Sequence, residues 1–230
     1  MWILLCFFLL NDACQAPEVL AHHREGVRHF SYYDFHGAAD AFWAAWKAGP
    51  ECEPAVINFV IACLHSGRLH EAETQLKRLE RGRPEDPRIL YLQGILLLRQ
   101  GREGDALRYF EQVRELDPGD PATLGQLALI AFHAGEFQKS LDYLEEARRL
   151  DSEDPSLIYS EARARLQLGQ REKAQELFTL FRERKKVTKK PMPGGMGEPS
   201  VVPGKYAELI CIDPKRLAEE GERHEENHLP

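Results

Sequence analysis

The stretch from residue 87 to residue 120, PRILYLQGILLLRQGREGDALRYFEQVRELDPGD, decides the fold of this chain. Apolar residues recur in it at three- and four-residue spacing on both sides of Gly101, which is the pattern of two amphipathic helices. The glycine stops the first helix, and Pro87 after Asp86 suits a helix start, where proline loses no needed hydrogen bond and aspartate can cap. The stretch therefore predicts a helix, a short turn and a second helix.

The same arrangement returns along the chain every 34 residues. A period of this length indicates an array of stacked helical pairs, because one pair cannot bury its apolar face alone. The turn glycines that mark the period are Gly67, Gly101, Gly135 and Gly169, and they divide the chain into the units 19–52, 53–86, 87–120, 121–154 and 155–188.

Two further positions keep the period. Nine residues after the turn position stands a bulky apolar residue, and seven residues before it stands a small one in most units, which lets two helix backbones approach closely. The bulky residues are Phe42, Leu76, Phe110, Leu144 and Phe178, and the preceding positions hold Gly26, Val60, Gly94, Ala128 and Ala162.

The pattern resembles the tetratricopeptide repeat. The resemblance covers about 170 of the 230 residues and implies an all-α fold, a right-handed α-solenoid of about five 34-residue helix-turn-helix repeats. Tyr33 replaces the first turn glycine, and Glu161 and Arg165 stand at usually apolar positions, as terminal units allow. Within 87–120 the residues that carry the resemblance are Leu90, Gly94, Leu97, Gly101, Ala106, Phe110, Val113 and Pro118.

The resemblance also implies a binding surface, because the first helix of each such repeat lines a concave groove. It implies a non-catalytic scaffold or adaptor whose groove holds an apolar or aromatic peptide segment, with arginines pairing acidic groups on the ligand. The chaperone-binding clamp of the family is missing, since apolar residues occupy its positions. The predicted partner-binding residues are Ile57, Ile61, Arg88, Tyr91, Ile95, Arg99, Leu129, Phe132, Tyr159 and Arg163.

Other interpretations of this surface stay open at the level of sequence. These side chains can serve only to pack repeats together, or the protein's own tail can cover them. The chain can also be a structural subunit of an oligomeric or envelope complex, including a homo-oligomer, or an accessory subunit of an enzyme.

Composition favours a soluble array and a protein or peptide partner. Apolar residues make up 43% and charged residues 29% of the chain, as in globular proteins that build a core. The net charge of −7 argues against a general nucleic-acid binder. The basic residues of 182–190 are interpreted as the solvated end of the last helix, where cations favour the helix dipole.

The first sixteen residues resemble a secretory signal peptide. Trp2 to Leu10 is an unbroken apolar run that would span only ~14 Å as a helix, too short to cross a ~30 Å hydrocarbon core. No Lys or Arg precedes the run, which argues against the assignment. With cleavage after Ala16 we expect a periplasmic or secreted protein that does not insert into the membrane; the alternative is a cytoplasmic one.

Removal of that segment would take Cys6 and Cys14 with it. The three cysteines that remain are an odd number, which predicts no disulfide framework. Cys63, inside a helix, is interpreted as a small packed hydrophobe.

No convincing catalytic apparatus is present in the sequence, and we expect no enzyme activity, cofactor or metal site. His224 to His228 matches the zinc motif H-E-x-x-H, but neither a third ligand nor a substrate-binding strand follows it. His22, His23 and His29 have no carboxylate partner at ligand spacing in the sequence, and we interpret them as surface or groove residues.

The C-terminal part begins with a proline- and glycine-rich linker over 189–204, which cannot continue a helix. The tail, 205–230, contains a short apolar stretch and a weak helix signal. It can dock as a cap on the last unit or fold back into the groove as an internal ligand, and the sequence does not decide between these.

Overall fold

The computed structural model describes residues 12–151, 153–187 and 205–212. These residues form ten α-helices, a preceding 3-10 helix (Asp12–Gln15) and no strands. The all-α solenoid class predicted from the sequence is confirmed. The helices are α1 (Pro17–Ser31), α2 (Phe35–Ala48), α3 (Glu53–Ser66), α4 (Leu69–Gly82), α5 (Pro87–Arg99), α6 (Glu103–Leu116), α7 (Pro121–His133), α8 (Phe137–Leu150), α9 (Pro155–Gln167) and α10 (Arg171–Val187).

The structure divides into two compact units. The described part of unit 1 is 12–78 with 209–212, and that of unit 2 is 79–208 without its gaps. In unit 1, α1 packs on α2 and α2 on α3. In unit 2, each helix from α5 to α10 packs on the next along the chain, and α7 also contacts α9. Sequential neighbours thus bury one another, as a repeat array requires.

The helix ends follow the sequence signals. Asp86, Asp120 and Asp154 accept backbone hydrogen bonds at the starts of α5, α7 and α9, each with a proline in the first turn. The four turn glycines have φ of +74° to +79°, the left-handed region that glycine enters without steric cost. Tyr33, which stands at the turn position of the first repeat, also adopts a positive φ, of 61°.

Small and large residues interlock at the predicted positions. A Cβ added to Gly94 would lie 2.6 Å from the ring of Phe110, which is fully buried in unit 2. In unit 1, a Cβ on Gly26 would lie equally close to the ring of Phe42. The absence of a side chain at these glycines is therefore what lets paired helices pack with a phenyl ring between them.

The charged residues at apolar positions of the last repeat form a buried ion cluster. Glu161 is 5% exposed, and its carboxylate accepts from Arg148 and from Arg165, each at 2.7 Å. Two guanidinium groups therefore compensate the buried charge, which is the condition under which such a residue is tolerated.

A disulfide joins Cys14 to Cys52, with their Cα atoms 4.8 Å apart. The expectation that the chain has no disulfide framework is therefore wrong. It failed because Cys14 was assigned to a cleaved leader, whereas Cys14 is 1% exposed and packs in a core cluster with Val19, Ala45 and Cys52. Residues 1–11, which carry the apolar run, lie outside the described part of the chain.

The prediction for Cys63 is confirmed. The side chain is fully buried and forms no disulfide. Burial raises the pKa of its thiol to about 12, so the sulfur stays protonated and unreactive at neutral pH.

Gly135→Ala is expected to lower the free energy of unfolding by about 1–2 kcal/mol, because a Cβ is disfavoured in the left-handed region. Gly104→Ala is the control, since Gly104 lies in α6 and a Cβ there meets nothing within 4 Å. In urea unfolding, the control should match the parent or gain up to about 1 kcal/mol. Equal losses in both variants would contradict the assigned role of the turn glycine.

Candidate functional site

In unit 2, part of the predicted binding surface is accessible. Leu129 and Phe132 on α7 and Tyr159 and Arg163 on α9 are half-buried, and we call these four residues the open wall. The guanidinium carbon of Arg163 lies 4.5 Å from the ring centroid of Phe132 and 5.9 Å from that of Tyr159. The open wall therefore presents two aromatic rings held around one cation, an arrangement stabilised by cation–π attraction.

Another part of the predicted surface in unit 2 is covered by the chain's own tail. Tyr91 on α5 is fully buried, and the ring of Tyr206 lies against it, with centroids 5.7 Å apart and planes at 45°. The Tyr206 hydroxyl donates to Asp117 at 2.5 Å. Residues 205–208, which we call the tail segment of unit 2, are thus anchored on the α5 and α6 repeat.

The charges around Tyr206 reinforce this contact. The hydrogen bonds from Lys205 and then from Tyr206 lower the pKa of Asp117, so its carboxylate is ionised at neutral pH. Burial, followed by the hydrogen bond to Asp117, raises the pKa of Tyr206, so its phenol stays protonated and remains a donor. The two shifts agree with a neutral phenol donating to a carboxylate.

Arg88 holds the main chain of the same segment. Its Nη1 donates to the carbonyl oxygen of Glu208 at 3.0 Å and to that of Tyr206 at 3.5 Å. Burial lowers the pKa of Arg88 from its very high ordinary value, and the guanidinium keeps its charge. Because both acceptors are backbone carbonyls, Arg88 contacts the main chain of this turn and bend and none of its side chains.

In unit 1, residues 209–212 meet a second main-chain clamp. Asn58 on α3 is fully buried; its Nδ2 donates to the carbonyl of Ile210 at 2.8 Å, and the amide of Ile210 donates to Asn58 Oδ1 at 2.7 Å. His23 Nε2 lies 3.0 Å from the same carbonyl and donates to it when the proton is on Nε2. Ile212 is buried in the cluster that contains the Cys14–Cys52 disulfide.

The structure therefore places the ten predicted binding residues in three different environments. Arg88 and Tyr91 hold the tail, the four residues of the open wall are accessible, and Arg99 is half-buried with its pKa lowered by burial. Ile57, Ile61 and Ile95 are each less than 5% exposed. Their role in binding a partner stays a prediction.

Sequence reasoning missed the roles of four residues. Asn58, Asp117 and His23 hold the tail, and Tyr206 belongs to it. The signal for Asn58 was a single amide in the otherwise apolar run from Ala55 to Leu64. No pattern marked Asp117 or Tyr206, because they are 89 residues apart and meet only in the folded chain.

The histidine partners were also misjudged. His29 Nδ1 lies 2.7 Å from Asp34, whose other carboxylate oxygen accepts from the amide of Gly37 at the start of α2. This contact supports a helix cap. Within the described ranges, no group of three or more His, Cys, Asp or Glu side chains is placed to hold a metal ion. The H-E-x-x-H motif lies outside these ranges.

Comparison with known proteins points to one family. Residues 60–121 and 104–155 match the tetratricopeptide repeat model. No curated protein sequence matches the chain.

Among solved structures, the chain resembles TTC0263, a thermophilic TPR protein of Thermus thermophilus, with a TM-score of 0.65 and 19% identity over 74% of this chain and 93% of that one. It also resembles PilF of Pseudomonas aeruginosa, with a TM-score of 0.63 and 16% identity over 76% and 78%. For MamA of Desulfovibrio magneticus the TM-score is 0.58, with 18% identity over 76% and 98%. At these identities the likeness shows the shared fold.

Proposed function

Because the chain belongs to the tetratricopeptide repeat family, whose members are generally non-catalytic interaction scaffolds, we propose that it binds an apolar or aromatic peptide segment on the inner surface of its repeats. The observation that carries this proposal is that the repeat formed by α5 and α6 already holds a segment of chain with an aromatic side chain, Tyr206 on Tyr91. A surface built to hold one such segment has the chemistry to hold another.

The open wall supplies the contacts that a partner would use. Aromatic and arginine side chains are the usual energetic anchors of protein interfaces. Phe132 and Tyr159 offer ring faces, and Arg163 between them offers a cation for a carboxylate on the partner. The partner segment is therefore expected to combine an apolar or aromatic side chain with an acidic one.

The test uses a random peptide library displayed on phage and selected on the full chain. Selected peptides should be enriched in aromatic and acidic residues, and Arg163→Glu should weaken their binding at least about tenfold. Arg108→Glu is the matched control, since Arg108 is exposed on the second helix of its repeat. Equal affinity of the two variants for the selected peptides would refute the proposal.

We further propose that the protein works outside the cytoplasm, with any leader cleaved before Cys14. The Cys14–Cys52 disulfide supports this location, because disulfides persist in oxidising compartments. Within the described ranges, no helix is long and apolar enough to cross a membrane. Alkylation of protein taken from cells and unfolded without reductant, followed by mass spectrometry, should find Cys14 and Cys52 unlabelled; labelling of both would contradict the proposal.

A further inference from the structure

We infer that the tail segment of unit 2 is an internal ligand, and that the anchors which hold it also bind a segment of the external partner in which a basic residue precedes a tyrosine, beside the aromatic and acidic contacts proposed for the open wall. The inference rests on the proposed function and names the partner's chemistry. The tail segment presents a cation, a phenol and two backbone carbonyls to the repeat.

Each of these groups meets a matching group. Lys205 forms an ion pair with Asp117, and the Tyr206 hydroxyl donates to the same carboxylate. The Tyr206 ring lies against Tyr91, and Arg88 donates to the carbonyls of Tyr206 and Glu208. The anchors thus select a basic residue and a tyrosine in sequence, and Arg88 requires two backbone carbonyls placed as in the turn and bend of residues 205–208.

The tail segment is held on the repeat by non-covalent contacts that a competing peptide can displace. The segment's interactions are surface ion pairs and hydrogen bonds at a half-buried ring, and residues 205–208 contain no cysteine that could fix them by a disulfide. Such contacts are individually modest in free energy. Tethering raises the local concentration of the segment to the millimolar range, so an external peptide must compete with it. The tail segment therefore raises the affinity or the concentration that an external partner needs in order to bind.

The test measures binding of a fluorescent, end-capped synthetic peptide of residues 203–209 to the full chain by anisotropy. The wild-type chain should bind it weakly, because its own segment occupies the anchors. The full-length variant Tyr206→Ala should bind it about tenfold more tightly, since the competing ring and hydroxyl are lost. Tyr206→Phe keeps the ring and should give a smaller gain.

Two further arms test the assigned contacts. Adding Asp117→Asn to Tyr206→Ala should abolish the gain in affinity, and a peptide with phenylalanine in place of its tyrosine should bind about tenfold more weakly to Tyr206→Ala. If Tyr206→Ala binds the peptide no better than wild type while circular dichroism shows an unchanged fold, the inference is overturned.

Failure of this inference is distinguishable from failure of the proposed function. If phage-selected peptides depend on Arg163 but are indifferent to Tyr206→Ala and Asp117→Asn, the scaffold function stands and the internal ligand falls. If the synthetic peptide binds as described but no selected peptide depends on Arg163, the internal ligand stands and the open wall is not the partner site.

Discussion

Phe110→Ala is expected to lower the free energy of unfolding by about 3–5 kcal/mol, the loss usual for a fully buried phenylalanine. Phe110 has no exposed surface, and its ring lies against Gly94 and meets the edge of Tyr91 with centroids 5.4 Å apart. Truncation therefore leaves a cavity between α5 and α6. Urea unfolding followed by circular dichroism measures the loss.

A double-mutant cycle with Gly94→Leu tests the packing itself. Alone, Gly94→Leu should cost about 1–3 kcal/mol or more, because its Cβ would collide with the Phe110 ring. In the double variant the leucine side chain enters the space vacated by the ring, so the combined loss should be smaller than the sum by at least about 1 kcal/mol. Additive losses would show that the two residues do not interlock.

Removal of the disulfide is the second large effect. The variant Cys14→Ser with Cys52→Ser should lose about 4 kcal/mol of unfolding free energy in the chain-entropy model, given the sequence separation of 38 residues. The loss arises mainly in the unfolded chain, which becomes free to expand between residues 14 and 52. Chemical unfolding without reductant, monitored on unit 1 by Trp43 and Trp46 fluorescence, measures it.

Reduction supplies an independent check on the disulfide. A reductant should lower the unfolding midpoint of wild type to that of the double serine variant and leave that variant unchanged. Cys211→Ser is the control, because Cys211 forms no disulfide and is only half-buried. A wild-type midpoint that is insensitive to reductant would show that Cys14 and Cys52 are not bonded in solution.

The fold was predictable because the features that decide it are local and periodic. A turn glycine, a capping aspartate before a first-turn proline and a small residue opposite a bulky one all fall within one repeat, and the structure shows them in place at Gly101, Asp86 and Gly94. The sequence even marked Tyr33 as an exception, and the structure gives it the same left-handed conformation.

The site was only partly predictable because its contacts join distant parts of the chain. Tyr206 and Asp117, or Ile210 and Asn58, are separated by 89 and 152 residues, and no period relates them. A count of cysteines likewise could not reveal the Cys14–Cys52 bond once Cys14 had been assigned to the leader. The family resemblance and helical spacing predicted an inner surface, but they could not show that the tail covers Arg88 and Tyr91.

The central claim is that the anchors on unit 2 that now hold the protein's own tail also bind a peptide from outside. Nuclear Overhauser effects between the rings of Tyr91 and Tyr206, in the full chain with labelled tyrosines, test it most directly. The account predicts cross-peaks in the free protein that disappear when an unlabelled synthetic peptide of residues 203–209 saturates it. Cross-peaks that are absent from the free protein, or that persist at saturation, would contradict it.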